Sequence, residues 1–173
     1  MNAADLVLTP KGVRFFGRVF PCSIGRGGVT QDKREGDGAT PAGRHKITGI
    51  LYRADRISHS HVPFAAQAIG PRDLWCDDPS HPDYNHAVRA PFPASHETLR
   101  RADPLYDLIL TTDWNWPNAV PGKGSAIFLH TWRQPGYPTA GCVAFSRSDL
   151  LWITNHLTPT STLIVPSSPV FTR

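Results

Sequence analysis

The stretch AIFLHTWRQPGYPTAGCVAF, Ala126–Phe145, ends an apolar run on one histidine and, twelve positions later, sets one cysteine behind a glycine. Cysteine attacks a carbonyl only as a thiolate, so a catalytic cysteine needs a neighbour that lowers its pKa or takes its proton, and histidine is the usual one. His130 and Cys142 can meet if IFLHT and GCVAF are neighbouring strands and the Pro-Gly loop turns the chain back. Gly141 lets a ligand approach the backbone closely, and amides near Cys142 are natural donors to an oxyanion. A helix beginning near Ser146 would further favour the thiolate. The spacing alone more often accompanies a buried, inert cysteine beside a hydrogen-bonded histidine, because free cysteine is among the most buried residue types.

The elements that must position this pair read as mainly β. LVLTPKGVRFFGRVFPCSIG alternates short β-favouring runs with turn signals, as in a small antiparallel meander. HKITGILYR, AAQAIG, YDLILTT, SAIFLHT, GCVAF and STLIVP are further strand candidates. Without regular strand–helix alternation, they predict a closed or sandwiched β domain spanning residues 1–173. Two short helices are expected, SHETLRRAD capped by Ser95 and SRSDLLWITNHL capped by Ser146 or Ser148, the latter with Leu150, Ile153 and Leu157 on one face. Trp152 on that helix reads as core. Pro71–Pro93 is polar and broken by prolines, and reads either as a long lid loop over a site or as a surface insertion.

Composition excludes several classes. With 18 Lys+Arg against 14 Asp+Glu, the net charge of +4 is dispersed, and neither a basic stripe nor a nucleic-acid motif is present. An anionic polymer partner is compatible with this charge. MNAADLVLTP lacks the basic start and apolar run of an export signal, and no segment reaches the ~18 apolar residues of a membrane span. Three cysteines leave at least one unpaired within the chain, and the absence of CxxC spacing argues against zinc or dithiol chemistry. Cys22 and Cys76 could pair in an oxidising compartment, leaving Cys142 free.

HTWRQPGYPTAGCVAF, with GDGATPAGRHKI upstream, resembles the YkuD family of L,D-transpeptidases. The family signature is a histidine, a variable loop, then Ser/Thr, a residue that is usually His, and Gly-Cys. The likeness runs from about Lys11 to Val165 and rests on three motifs in the family's order. It implies a β-rich sandwich or barrel and acyl transfer on peptidoglycan stem peptides at the cell envelope or in the periplasm, with no metal or organic cofactor. Carried over residue by residue, the nucleophile is Cys142 and the general base is His130. Gly141 adjoins the oxyanion hole, Thr131 offers the carbonyl that orients the imidazole, and Thr139 is the Ser/Thr of the signature. Ala140 and Ala144 replace the usual His before Gly-Cys and the usual Arg or Asn two residues after the cysteine. With the short His–Cys loop, these departures look like a divergent branch, similar to short proteobacterial enzymes that join L-Ala at position 1 to diaminopimelate at position 3. A hydrolase on the same peptides and a silent peptidoglycan-binding domain are the alternative readings.

Such a substrate carries carboxylates and an amine, for which Arg and acid or amide groups are natural partners. Candidates are Arg133 and Arg147 beside the nucleophile segment, and Asp77, Asp78, Tyr84 and Asn85 in the lid. Each of these taken singly reads more readily as a solvated loop residue. Substitution of Tyr84 or Asn85 is expected to weaken turnover without lowering the melting temperature. His59, His61, His81 and His86 lack a supporting carboxylate or cysteine pattern and read as exposed rather than metal-ligating. Trp114 and Trp116 read as packing or loop anchors before a sugar-stacking platform.

Overall fold

A computed structural model of the chain describes residues 2–167. The first turn is dictated by Gly12, at φ 126, where an added Cβ would lie 2.2 Å from the Phe20 carbonyl oxygen. Only glycine permits that approach. The turn joins β1 (Leu6–Thr9) to β2 (Gly12–Phe15), and β3 (Arg18–Phe20) completes the expected meander. The chain continues through β4 (Cys22–Ser23), β5 (Val29–Thr30), β6 (Thr40–Pro41), β7 (Gly43–Tyr52) and β8 (Gln67–Ala68). It then forms β9 (Asp73–Cys76), β10 (Ala87–Arg89), β11 (His96–Thr98), β12 (Leu108–Thr112), β13 (Phe128–Thr131) and β14 (Val143–Phe145), ending in α1 (Arg147–Asn155) and β15 (Thr162–Val165).

The main sheet runs β3-β2-β1-β15-β7-β12-β13-β14-β4, with β8 added beside β7. Its two end strands, β3 and β4, are consecutive in the chain and separated only by Pro21, so the sheet nearly closes into a barrel or sandwich. The fold is mainly β, as the sequence predicts.

Alternation along the central strands divides the interior in two. Leu108, Leu110, Leu129, Val143 and Phe145 face α1, which contributes Leu150 and Ile153 to the larger core. Residues of opposite parity, Ile109, Phe128 and Cys142, face a second core closed by Trp75, Leu99 and Tyr106. The helix starts at Ser146, whose Oγ accepts from Asp149 N at 3.1 Å. Trp152 is half-buried at the edge of this core, packing on Phe15 and Phe20, with Arg18 over its ring at 4.4 Å and His156 stacked on it at 3.7 Å.

The second expected helix does not form. SHETLRRAD instead supplies β11, which pairs with β9, and Leu99 is buried in the second core. Edge pairing and burial outweigh the local capping pattern, which has no apolar helical face to support it. Pro71–Pro93 is not an irregular loop either. It holds β9 and β10, which with β11 form a three-stranded sheet in the order β10-β9-β11. The prolines lie outside the two paired runs, where no ladder donor is needed. AAQAIG contributes only the two residues of β8. All three cysteines are free, with Cys22 on the large sheet and Cys76 on the small one.

Asn85 fastens the small sheet to the large one. Its Oδ1 accepts from Trp75 Nε1 and Ala126 N, both at 3.0 Å, and its Nδ2 donates to the carbonyls of Trp114 and Asn115 at 2.9 and 2.8 Å. Tyr84 is equally interior: its hydroxyl donates to Glu35 and accepts from Gly124 N at 2.9 Å. The expectation that these two residues contact substrate without supporting the fold is therefore corrected, because their polar groups are already used inside the protein. Asn85→Ala should cost about 3 kcal/mol, since buried donors and acceptors lose their partners. In a thermal melt this should appear as a Tm drop on the order of 10 °C; an unchanged Tm would contradict the clamp.

Candidate active site

β13 and β14 pair in parallel, with Leu129 opposite Val143 and His130 opposite Ala144. Cys142 precedes β14 by one residue and falls at the level of Phe128, so His130 and Cys142 are diagonal neighbours on one face. Two parallel strands cannot be joined by a hairpin and need a crossover of about a dozen residues. The His–Cys spacing is the length of that crossover.

The loop before Cys142 is pinned from beneath. Gly141 stands at φ 140, and a Cβ there would meet the Ala39 carbonyl oxygen at 2.8 Å, so the position requires glycine. Thr40 is fully buried; its Oγ1 donates to the Gly141 carbonyl at 2.8 Å and accepts from Gly25 N at 2.9 Å. In the same motif, the Pro41 carbonyl lies 3.0 Å from His45 Nε2. Thr139 Oγ1 donates to the Cys142 carbonyl at 2.6 Å and accepts from Gly141 N at 3.1 Å. Thr139 thus shapes the nucleophile turn. The Gly141 amide is occupied, which removes it as a free oxyanion donor in this state.

The thiol is held by backbone. Cys142 Sγ donates to the Ala126 carbonyl at 3.1 Å and accepts from Phe128 N at 3.4 Å. Ala126 sits at φ 50 with its N–H on Asn85, so the residue that accepts the thiol's hydrogen bond is itself clamped. Among the described residues no hydrogen bond joins Sγ to His130. His130 Nδ1 lies 2.8 Å from the Thr131 carbonyl oxygen. A carbonyl only accepts, so Nδ1 carries the proton and Nε2 keeps its lone pair as the available base.

Burial sets both protonation states. It pushes the Cys142 thiol up to about 12, opposed by the Phe128 amide, and pushes His130 down to about 4, opposed by the Thr131 carbonyl. The resting pair is a neutral thiol and a neutral imidazole.

His130 opens into a cleft of about 440 Å³ that also presents Arg26, Glu97, Arg101, Tyr106 and Arg133. The Tyr106 ring packs edge-on to His130 at 5.3 Å between centroids. Burial and the Asp77 carboxylate raise Glu97 above the usual carboxylate range. Ala140 and Ala144 line the same cleft, so the wall is bare where larger side chains are usual in the resembled family. Thr139 and Arg133 of the sequence-derived candidates line it too, with Arg133 over the Tyr137 ring at 5.2 Å.

Other candidates lie elsewhere. Arg147 donates to Asp107 at 3.0 Å and to the Arg56 carbonyl at 2.7 Å, an ion-paired tie at the start of α1 rather than a cleft contact. Asp78 caps a turn through Ser80, and Asp77 accompanies it with Oδ1 buried and unpartnered. His59 and His61 occupy a 3₁₀ turn, and among the described residues no three His, Cys, Asp or Glu side chains gather as metal ligands. Trp114 is half-buried against His45 at 5.5 Å, and Trp116 is exposed. Sequence reasoning missed Glu97, Arg101 and Tyr106. Reading SHETLRRAD as a helix hid Glu97 and Arg101, Tyr106 stands in the strand candidate YDLILTT, and no motif marks any of the three.

Alkylation of Cys142 by iodoacetamide should be slow at pH 7 and accelerate about tenfold per pH unit up to pH 9, as expected for a thiol that titrates far above neutrality. A rate already on a plateau at pH 7 would reveal a preformed thiolate.

No significant match was found among curated proteins or solved structures. Comparison with protein families matches residues 6–166 to YkuD, described as an L,D-transpeptidase catalytic domain. That match covers nearly the whole chain, including Thr40, His130, Gly141 and Cys142, and the protein belongs to the YkuD family of L,D-transpeptidase catalytic domains.

Proposed function

We propose that this protein is a peptidoglycan L,D-transpeptidase that uses Cys142 as nucleophile and His130 as general base, acting in the cell envelope where its substrate lies. The observation that carries the reading is the placement of a thiol and an imidazole on one face of a parallel strand pair, with Nε2 left as the acceptor. Membership of the family supplies the substrate class.

Because burial pushes the thiol up to about 12 and the imidazole down to about 4, a standing thiolate–imidazolium pair is disfavoured. Proton transfer therefore accompanies attack. As the stem-peptide carbonyl meets Sγ, His130 Nε2 takes the thiol proton and the new C–S bond forms. Collapse breaks the amide C–N bond, and the imidazolium protonates the departing amine, leaving a thioester. The side-chain amine of a diaminopimelate on a second stem then attacks the thioester, and His130 takes one of its protons. The C–S bond breaks, and the thiolate recovers its proton from the imidazolium.

Incubation with purified muropeptide monomers, followed by mass spectrometry, tests this reading. Dimers should form with the native protein and vanish with Cys142→Ala, and fragment masses should assign the donor to position 1 or position 3. Dimers from Cys142→Ala would overturn the proposal, and cysteine-dependent shortened monomers without dimers would mark a hydrolase. His130→Gln should lower the acylation rate by about 10³-fold, the usual contribution of a positioned base. Acylation should be level between pH 6 and 8 and should fall toward about pH 4 as His130 protonates. A fall centred near pH 6.5 would instead indicate an unburied histidine.

A further inference from the structure

We propose that Glu97 docks the ammonium group of the acyl acceptor and so selects an amine over water in the second half-reaction. The inference rests on the reading of Cys142 as the acylated nucleophile.

Glu97 is the central residue of β11, opposite Trp75 of β9, and its side chain enters the cleft that holds His130. Its carboxylate receives one long hydrogen bond, from the Tyr106 hydroxyl at 3.3 Å. Arg101 lines the same cleft, but its guanidinium forks onto Asp103 at 2.8 and 2.6 Å. No Lys, Arg or His among the described residues makes an ion pair with Glu97. A half-buried carboxylate without an ion-pair partner loses hydration; the field of Arg101, whose guanidinium is spent on Asp103, offsets only part of that cost, and the Asp77 carboxylate adds to it. A bound ammonium would supply the missing charge.

The position suits an acceptor rather than a donor. The Tyr106 ring lies edge-on to His130 while its hydroxyl reaches Glu97, so one side chain spans the distance between base and carboxylate. A cation held at Glu97 is therefore kept beside the imidazole that must take a proton from the attacking amine. Glu97 also acts on Cys142 from close enough to disfavour the thiolate. In the same cleft Arg26 and Arg133 have no carboxylate partner among the described residues, so the wall offers both signs to a group carrying an amine and a carboxylate on one carbon.

The proton balance is simple. The docked ammonium releases one proton to solvent, the neutral amine forms the new C–N bond at the thioester carbonyl, His130 accepts the second proton, and as the C–S bond breaks the imidazolium returns that proton to the Cys142 sulfur.

The test is the ratio of dimer to hydrolysed monomer, which counts only acyl-enzyme already formed. With a muropeptide acceptor at pH 7, Glu97→Gln should lower that ratio about tenfold, the size of a partly buried ion pair. With hydroxylamine, which is uncharged at that pH, the hydroxamate-to-hydrolysis ratio should change less than about twofold, since no ammonium is docked. Glu97→Asp, which keeps the charge, should give more dimer than Glu97→Gln at matched folding in circular dichroism. An equal loss with both nucleophiles, an unchanged ratio, or Asp no better than Gln would overturn the inference. A native protein that forms no thioester overturns the transpeptidase reading itself. A native thioester with an unchanged ratio in Glu97→Gln overturns only the role of Glu97.

Discussion

The parallel pairing of β13 with β14 is the constraint on which the site depends. It brings His130 and Cys142 to one face as diagonal neighbours and forbids a short turn between them. A one-residue slip of either strand would turn its reactive side chain from the cleft face to the core packed against α1. Leu129, Val143 and Phe145 hold the register because they are fully buried on that opposite side. The apolar core thus fixes the chemistry by fixing which residues cannot face it.

Register alone leaves the nucleophile turn undetermined, and buried polar ties complete it. Thr40 reaches across from a distant segment to join Gly141 and Gly25, while Thr139 closes the turn locally. On the other side, Asn85 holds Ala126, whose carbonyl accepts the thiol's hydrogen bond. Each of these groups is satisfied by the protein itself, which makes the turn rigid before substrate arrives. Desolvation then keeps both Cys142 and His130 uncharged, so the pair is poised to transfer a proton and holds no standing charge.

The small β10-β9-β11 sheet joins support and recognition. Trp75 and Leu99 close the second core against Phe128 and Cys142, and the same strands carry Glu97 to the cleft. An element that seals the nucleophile from water also lines its entrance. The fold is stabilised and the acceptor side of the cleft is shaped by the same three strands.

Local pattern alone made much of this legible. Alternating apolar residues and turn glycines gave the meander, β12, β13 and β14, while His130, Gly141 and Cys142 pointed to acyl transfer only through their resemblance, with GDGATPAGRHKI upstream, to a family signature. Ser146 before an apolar helical face gave α1. These features lie within short windows, where side-chain type and period determine structure. Nothing local marked β9, β10 and β11, because a polar, proline-interrupted segment becomes a sheet only through pairing between its separated parts. Nor could the sequence show that Asn85 and Tyr84 point inward, that Arg147 is taken by Asp107, or that Glu97 has no ion-pair partner among the described residues. Sequence by itself determined which residue types were available for the chemistry. Tertiary structure decided which of them meet, and which are charged, because hydrogen-bond partnership and desolvation depend on neighbours far away in the chain.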